Sequence, residues 1–76
     1  MKDVYKVSIS FWEVPLPEIT FVRASSCSDV IKWAEKKVSS FYEELKNYHI
    51  IVDSIIIDTM TEDDLLLIDP EDVLEI

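Results

Sequence analysis

The stretch from Ser26 to about Asn47 limits the possible folds most, because it reads as one long amphipathic helix. At about 100° per residue, Cys27, Val30, Ile31, Ala34, Val38, Phe41, Leu45 and Tyr48 fall on one face. Lys32, Lys36, Ser39, Glu43 and Lys46 fall on the other. Ser26 is a good cap, and Asp29, three positions on, can reach back to it or sit against the positive end of the helix. Lys46 suits the negative end, and Asn47 tolerates a left-handed exit. A helix of this kind must lay its apolar face on a core, and the flanking sequence offers strands to build one.

Val4 to Val14 alternates, with Tyr5, Val7, Ile9 and Phe11 in one row and Lys6, Ser8, Ser10 and Trp12 in the other. Pro15-Leu16-Pro17 breaks that strand, since proline cannot donate to a ladder. Glu18 to Ala24 resumes as a second strand, and a hairpin is the economical pairing. Val22 and Ala24 then share the helix side, and Ile19 and Phe21 take the far face near Trp12. His49 to Asp58 is the strongest strand signal, apolar on both faces, which places it in the middle of a sheet beside strand 1. Met60 to Asp64 reads as a turn, Leu65 to Ile68 as a short fourth strand, and Asp69-Pro70 as a capped helix start with Val73, Leu74 and Ile76 pinning a last turn. The expected fold is one α+β domain spanning residues 1–76: a helix on an antiparallel sheet, ββαβ with an extra strand. A β-grasp order is the alternative.

A chain of 76 residues has a thin stability margin. Its single cysteine precludes an internal disulfide, so the apolar core must stabilise it, helped by any self-association. The absence of glycine excludes glycine-dependent phosphate cradles and the usual Asn-Gly and Asp-Gly hairpin turns. The first residues do not read as a signal peptide, and no apolar run reaches the roughly 20 residues that span a bilayer. A cytoplasmic chain without membrane contact is expected.

Charge is unevenly placed. Residues 1–46 hold all the Lys and Arg and an equal number of acids, so the net −9 belongs entirely to residues 47–76. There, Asp53, Asp58, Glu62, Asp63, Asp64, Asp69, Glu71, Asp72 and Glu75 stand without a base. Direct nucleic-acid binding is disfavoured, because it needs Lys and Arg clusters. A basic protein surface is the expected partner.

Catalytic chemistry finds little support. The only histidine, His49, precedes a strand with no oriented nucleophile, and Cys27 in a capping turn reads as a packed thiol. Asp53 and Asp58 flank an apolar strand but would need burial to act as acid and base. Glu62-Asp63-Asp64 lacks the glycine turn and alternating ligands of a calcium loop. Glu35-Lys36-Lys37 sits mid-helix with no partner aspartate before it. No enzyme, metal or cofactor is expected.

The run Phe21-Val22-Arg23-Ala24-Ser25-Ser26-Cys27-Ser28-Asp29-Val30-Ile31-Lys32-Trp33-Ala34-Glu35 resembles a recurring phage pattern: a strand ending in Ala, a Ser or Thr cap, an acid three later, and an inward-facing helix. With the order of elements, it looks like the small strand-strand-helix-strand inhibitors of host RNA polymerase made by T7-like phages, and like similarly built anti-defence proteins of the anti-CRISPR type. The resemblance implies a non-enzymatic viral protein that binds a large host nucleic-acid enzyme in the host cytoplasm. From the charge, Asp58, Glu62, Asp63, Asp64, Asp69, Glu71, Asp72 and Glu75 are the expected contacts, mimicking DNA phosphates. Trp12, Phe21 and Trp33 are the expected aromatic anchors. The alternative is a small homodimeric adaptor, paired through the apolar far face, whose charge serves solubility.

Overall fold

A computed structural model describes residues 2–45 and 51–76. β1 (Asp3–Phe11) and β2 (Glu18–Ala24) form an antiparallel hairpin, α1 (Cys27–Leu45) crosses over, and β3 (Val52–Thr59) returns to the sheet. A short α2 (Glu62–Leu65), a 3-10 turn (Pro70–Asp72) and β4 (Val73–Glu75) complete the chain. The α+β class and the ββαβ order agree with the sequence expectation. The sheet is mixed rather than antiparallel, because β4 runs parallel to β2.

Strand order is β3-β1-β2-β4. β1 is antiparallel to both β2 and β3, so β2 and β3 are parallel and need a long crossover, which α1 supplies. β1 fills the gap between them. β3 does lie beside β1, but at the sheet edge rather than in the middle, and its antiparallel pairing there differs from a β-grasp. At its start, Ser54 pairs with Ser10 and Val52 with Phe11, so Asp53 is the extra residue of a bulge. The bulge keeps Val52 on the helix side, where it packs against the core.

The core lies between α1 and one face of the sheet: Tyr5, Val7 and Ile9 of β1, Val22 and Ala24 of β2, Val30 and Ala34 of α1. The helix starts where its cap predicts, with the Asp29 N–H donating to Ser26 Oγ at 3.2 Å. Its inner stripe is rotated from the expected one. Cys27 is exposed and Ile31 is 44% exposed, whereas Trp33 is half-buried against the core. Lys37 lies on the side turned toward the sheet. Its ammonium lies 3.1 Å from Glu18 Oε1, donates to Thr20 Oγ1 at 3.2 Å, and sits 5.0 Å from the Trp33 ring centre. These contacts draw the Trp33–Lys37 side of α1 toward β2. The expected inward side chains at Phe41, Leu45 and Tyr48, the Lys46-Asn47 stop, and the strand start at His49 and Ile50 fall outside the described residues.

No strand forms at Leu65–Ile68. Thr61 caps α2 in a reciprocal box, its Oγ1 accepting from the Asp64 N–H at 3.2 Å while Asp64 Oδ2 accepts from the Thr61 N–H at 3.2 Å. Leu66–Ile68 continue as turns, the fourth strand forms later at Val73–Glu75, and only the 3-10 turn comes after Asp69, whose side chain caps it. The chain thereby passes from one sheet edge to the other. Val4, on the face opposite α1, is buried, and the Met60 N–H donates to its carbonyl at 2.9 Å. Ile19 and Ile56 on that face stay exposed. Among the described residues, no helix is long and apolar enough to cross a membrane.

Candidate protein-docking surface

Of the acids of the last third, Glu62, Asp63 and Asp64 lie in the capped α2 and Asp69, Glu71 and Asp72 at the capped 3-10 turn, while Asp53 and Asp58 lie on β3 and Glu75 on β4. Asp64 is committed to its own turn: besides the backbone contact, its Oδ2 accepts from Thr61 Oγ1 at 2.8 Å. Those side-chain and backbone bonds from Thr61 hold its carboxyl below the usual Asp range, with the Lys6 ammonium adding to the effect. Asp69 Oδ1 accepts from the Glu71 N–H at 3.0 Å. Glu75 is also engaged, by Arg23 Nη1 at 2.8 Å and by Lys2 Nζ at 3.6 Å. Lys2 additionally donates to the Ile76 carbonyl at 3.0 Å, so these contacts fasten β4 to the body.

Five other acids differ. Asp58, Glu62, Asp63, Glu71 and Asp72 are exposed and have no ion pair among the described residues. Asp58 stands across from Lys6 in the β1–β3 register. Glu62 and Asp63 lead α2, and Glu71 and Asp72 lie in the 3-10 turn, so two acidic pairs flank the segment between. In that segment Leu66 and Leu67 are 85% and 87% exposed. The apolar run Leu65–Ile68 suggests a strand, and nothing in it marks two consecutive leucines as wet. The one signal in the sequence is the Thr61-to-Asp64 spacing, which matches a capping box and makes this run a helix end.

The three aromatic residues are not brought together. Trp12 is 62% exposed, on the turn after β1, and its backbone N–H donates to the Ile51 carbonyl at 2.7 Å. Phe21 stands opposite Val73 in the β2–β4 register, half-buried on the far face. Trp33 is half-buried on the helix side of the sheet, under Lys37. The turn holding Trp12 has its Phe11 carbonyl accepting from the Val14 N–H at 3.2 Å, with Glu13 at φ 65°. That position ordinarily takes Gly or Asn, and a chain without glycine fills it with Glu.

One cleft of about 450 Å³ opens between α1 and β3, lined by Cys27, Ile31, Ala34, Glu35, Ile55 and Ile57. It is mostly apolar, and among the described residues that line it Glu35 and Cys27 are the ionisable ones. Among the described residues, no three His, Cys, Asp or Glu side chains converge to hold a metal ion. Compared with known protein families, curated proteins and solved structures, the chain matches none of them.

Proposed function

We propose that this chain is a non-enzymatic acidic binding protein whose C-terminal third occupies a basic, nucleic-acid-binding surface of a host enzyme. An RNA polymerase or a CRISPR effector is the target class, and the protein acts as a phage-type inhibitor and DNA mimic. The observation that supports this reading is that the exposed Glu62, Asp63, Glu71 and Asp72 flank, along the chain, a segment whose Leu66 and Leu67 are exposed. Unpaired carboxylates on capped turns keep their charge available for steering and orientation. The two leucines between them supply apolar area that a contact can desolvate.

The test is displacement of labelled duplex DNA from a bacterial RNA polymerase and from a CRISPR effector. The parent should displace it from one of them at low salt. Changing Asp58, Glu62, Asp63, Glu71 and Asp72 to their amides should weaken displacement by about 100-fold, at roughly 0.2–1 kcal/mol for each exposed acid. Asp64 is left unchanged because it holds the Thr61 turn. Equal displacement by the neutralised protein would leave the acids with a solubilising role, the reading of a small adaptor.

A further inference from the structure

The two edges of the sheet are unlike. β4 is three residues long and offers little template to another strand. β3 is eight residues long, carries Ile55, Ile56 and Ile57 in succession, and meets no strand on its outer side among the described residues. One hydrogen bond fixes which of its backbone groups face outward. The Met60 N–H donates to the Val4 carbonyl. By alternation Asp58, Ile56 and Ser54 also turn their backbone groups toward β1, and Ile55, Ile57 and Thr59 turn theirs to the open edge.

We infer that a second copy of this chain occupies this edge, β3 against β3, antiparallel about a two-fold axis through Ile56. Outward-facing residues must pair with outward-facing residues, so the axis passes through a residue and never between two. That parity excludes the register that would set Asp53 against Asp58. An axis through Ile55 would place Asp58 opposite Val52 and Asp53 opposite Ile57. An axis through Ile57 would place Asp58 opposite Ile56. With the axis through Ile56, Ile56 meets Ile56 of the second copy and Ile55 meets its Ile57. Asp58 meets Ser54, a hydroxyl donor, and Asp53, at the bulge, meets Thr59. This register alone matches every apolar residue with an apolar one and every acid with a hydroxyl.

The same pairing accounts for the cleft. Ile55 and Ile57 line it and also form the seam. Paired outward-facing residues share a face, so both α1 helices lie on the same side of an eight-stranded sheet. Their β1 strands stand about 14 Å apart, three strand spacings. The clefts of the two copies then adjoin across the axis, and Ile31 and Ile55, which are partly exposed in one copy, face the shared space together with the exposed Glu35. This inference is independent of the acidic turns and does not depend on their target.

The experiment uses the full chain with Cys27→Ser. At high micromolar concentration the protein should sediment as a dimer. Ile56→Cys should form an intermolecular disulfide with itself on mild oxidation, because directly opposed, non-hydrogen-bonded residues lie about 4.5 Å apart between Cα atoms, within disulfide reach. Ser54→Cys should not, since its own counterpart is displaced by about 13 Å along the strands. Ile56→Lys, at a position 52% exposed in one copy, should keep its circular dichroism and raise the dimer dissociation constant by at least about tenfold. A monomeric parent, a dimer that survives Ile56→Lys, or cross-linking at Ser54→Cys as fast as at Ile56→Cys would each overturn the inference.

Discussion

Val30 and Ile31 are neighbours that helical periodicity assigns to the same inner face, yet the structure separates them: Val30 is 0% exposed and Ile31 44%. Truncating each to alanine turns that difference into a measurement. Val30→Ala removes two carbons from a closed site, at about 0.8 kcal/mol each, and the unfilled void adds roughly 1 kcal/mol. Alanine's better helix propensity returns about 0.5 kcal/mol, leaving a net loss of about 2 kcal/mol. Ile31→Ala removes three carbons at half burial, about 1.2 kcal/mol. Water fills that space, so no void term arises, and propensity returns a similar amount, leaving under about 1 kcal/mol. A domain of this size has about 4–11 kcal/mol in total, so both variants should fold. Urea unfolding at a concentration too low for self-association should separate their midpoints by about 1 M, for a slope near 1 kcal/mol/M. Equal losses, or a larger one at Ile31, would show that α1 rests on the sheet by the Cys27–Ile31 side and not by the Trp33–Lys37 side.

Particular contacts lead to further outcomes. Ala34→Asp, which puts a carboxylate at a buried position on the sheet, should cost several kcal/mol and abolish the cooperative melt. Glu13→Gly should raise stability by up to about 1 kcal/mol in thermal melts, because Glu13 holds a left-handed φ that glycine adopts freely. Thr61→Ala should cost about 0.5–2 kcal/mol locally, seen as faster hydrogen exchange in α2. Asp64 has a depressed carboxyl, so the turn's stabilisation is full above the ordinary Asp value and fades as pH falls through the lower folded one. An NMR titration should find Asp64 protonating below the ordinary Asp value, and an ordinary or raised value would contradict the capping box.

Much of the architecture is legible in the residues. The Ser26 cap, the bounds of β2 and the inward placement of Val22 and Ala24 can be read from local pattern, because each is a local preference that the fold does not oppose. The position of β3 cannot. Apolar residues on both faces resemble a central strand, but the order is set by the crossover, which leaves a gap between parallel β2 and β3 that β1 fills. Two-sided apolarity at an edge then signals a missing strand. β4 is too short to show a period, and the apolar run Leu65–Ile68 attracts the strand assignment while Thr61 and Asp64 close it into a helix end. For the acidic surface, the charge asymmetry is plain in the sequence. Which acids are engaged is not: Glu75 meets Arg23 fifty-two positions away, a contact that only the parallel β2–β4 pairing creates.

Whether the exposed acids guide this protein onto a basic surface can be read from its association rate against salt. The parent and the five-amide variant would each be passed over immobilised RNA polymerase, and over a CRISPR effector, across a range of ionic strength. If the acids steer, the parent's association rate should fall steeply as the screening length shortens, and the variant's should be slower at low salt and nearly flat. The two curves should converge at high salt, with dissociation rates differing far less. Parent and variant curves that coincide at every ionic strength would show that the acids do not steer the protein.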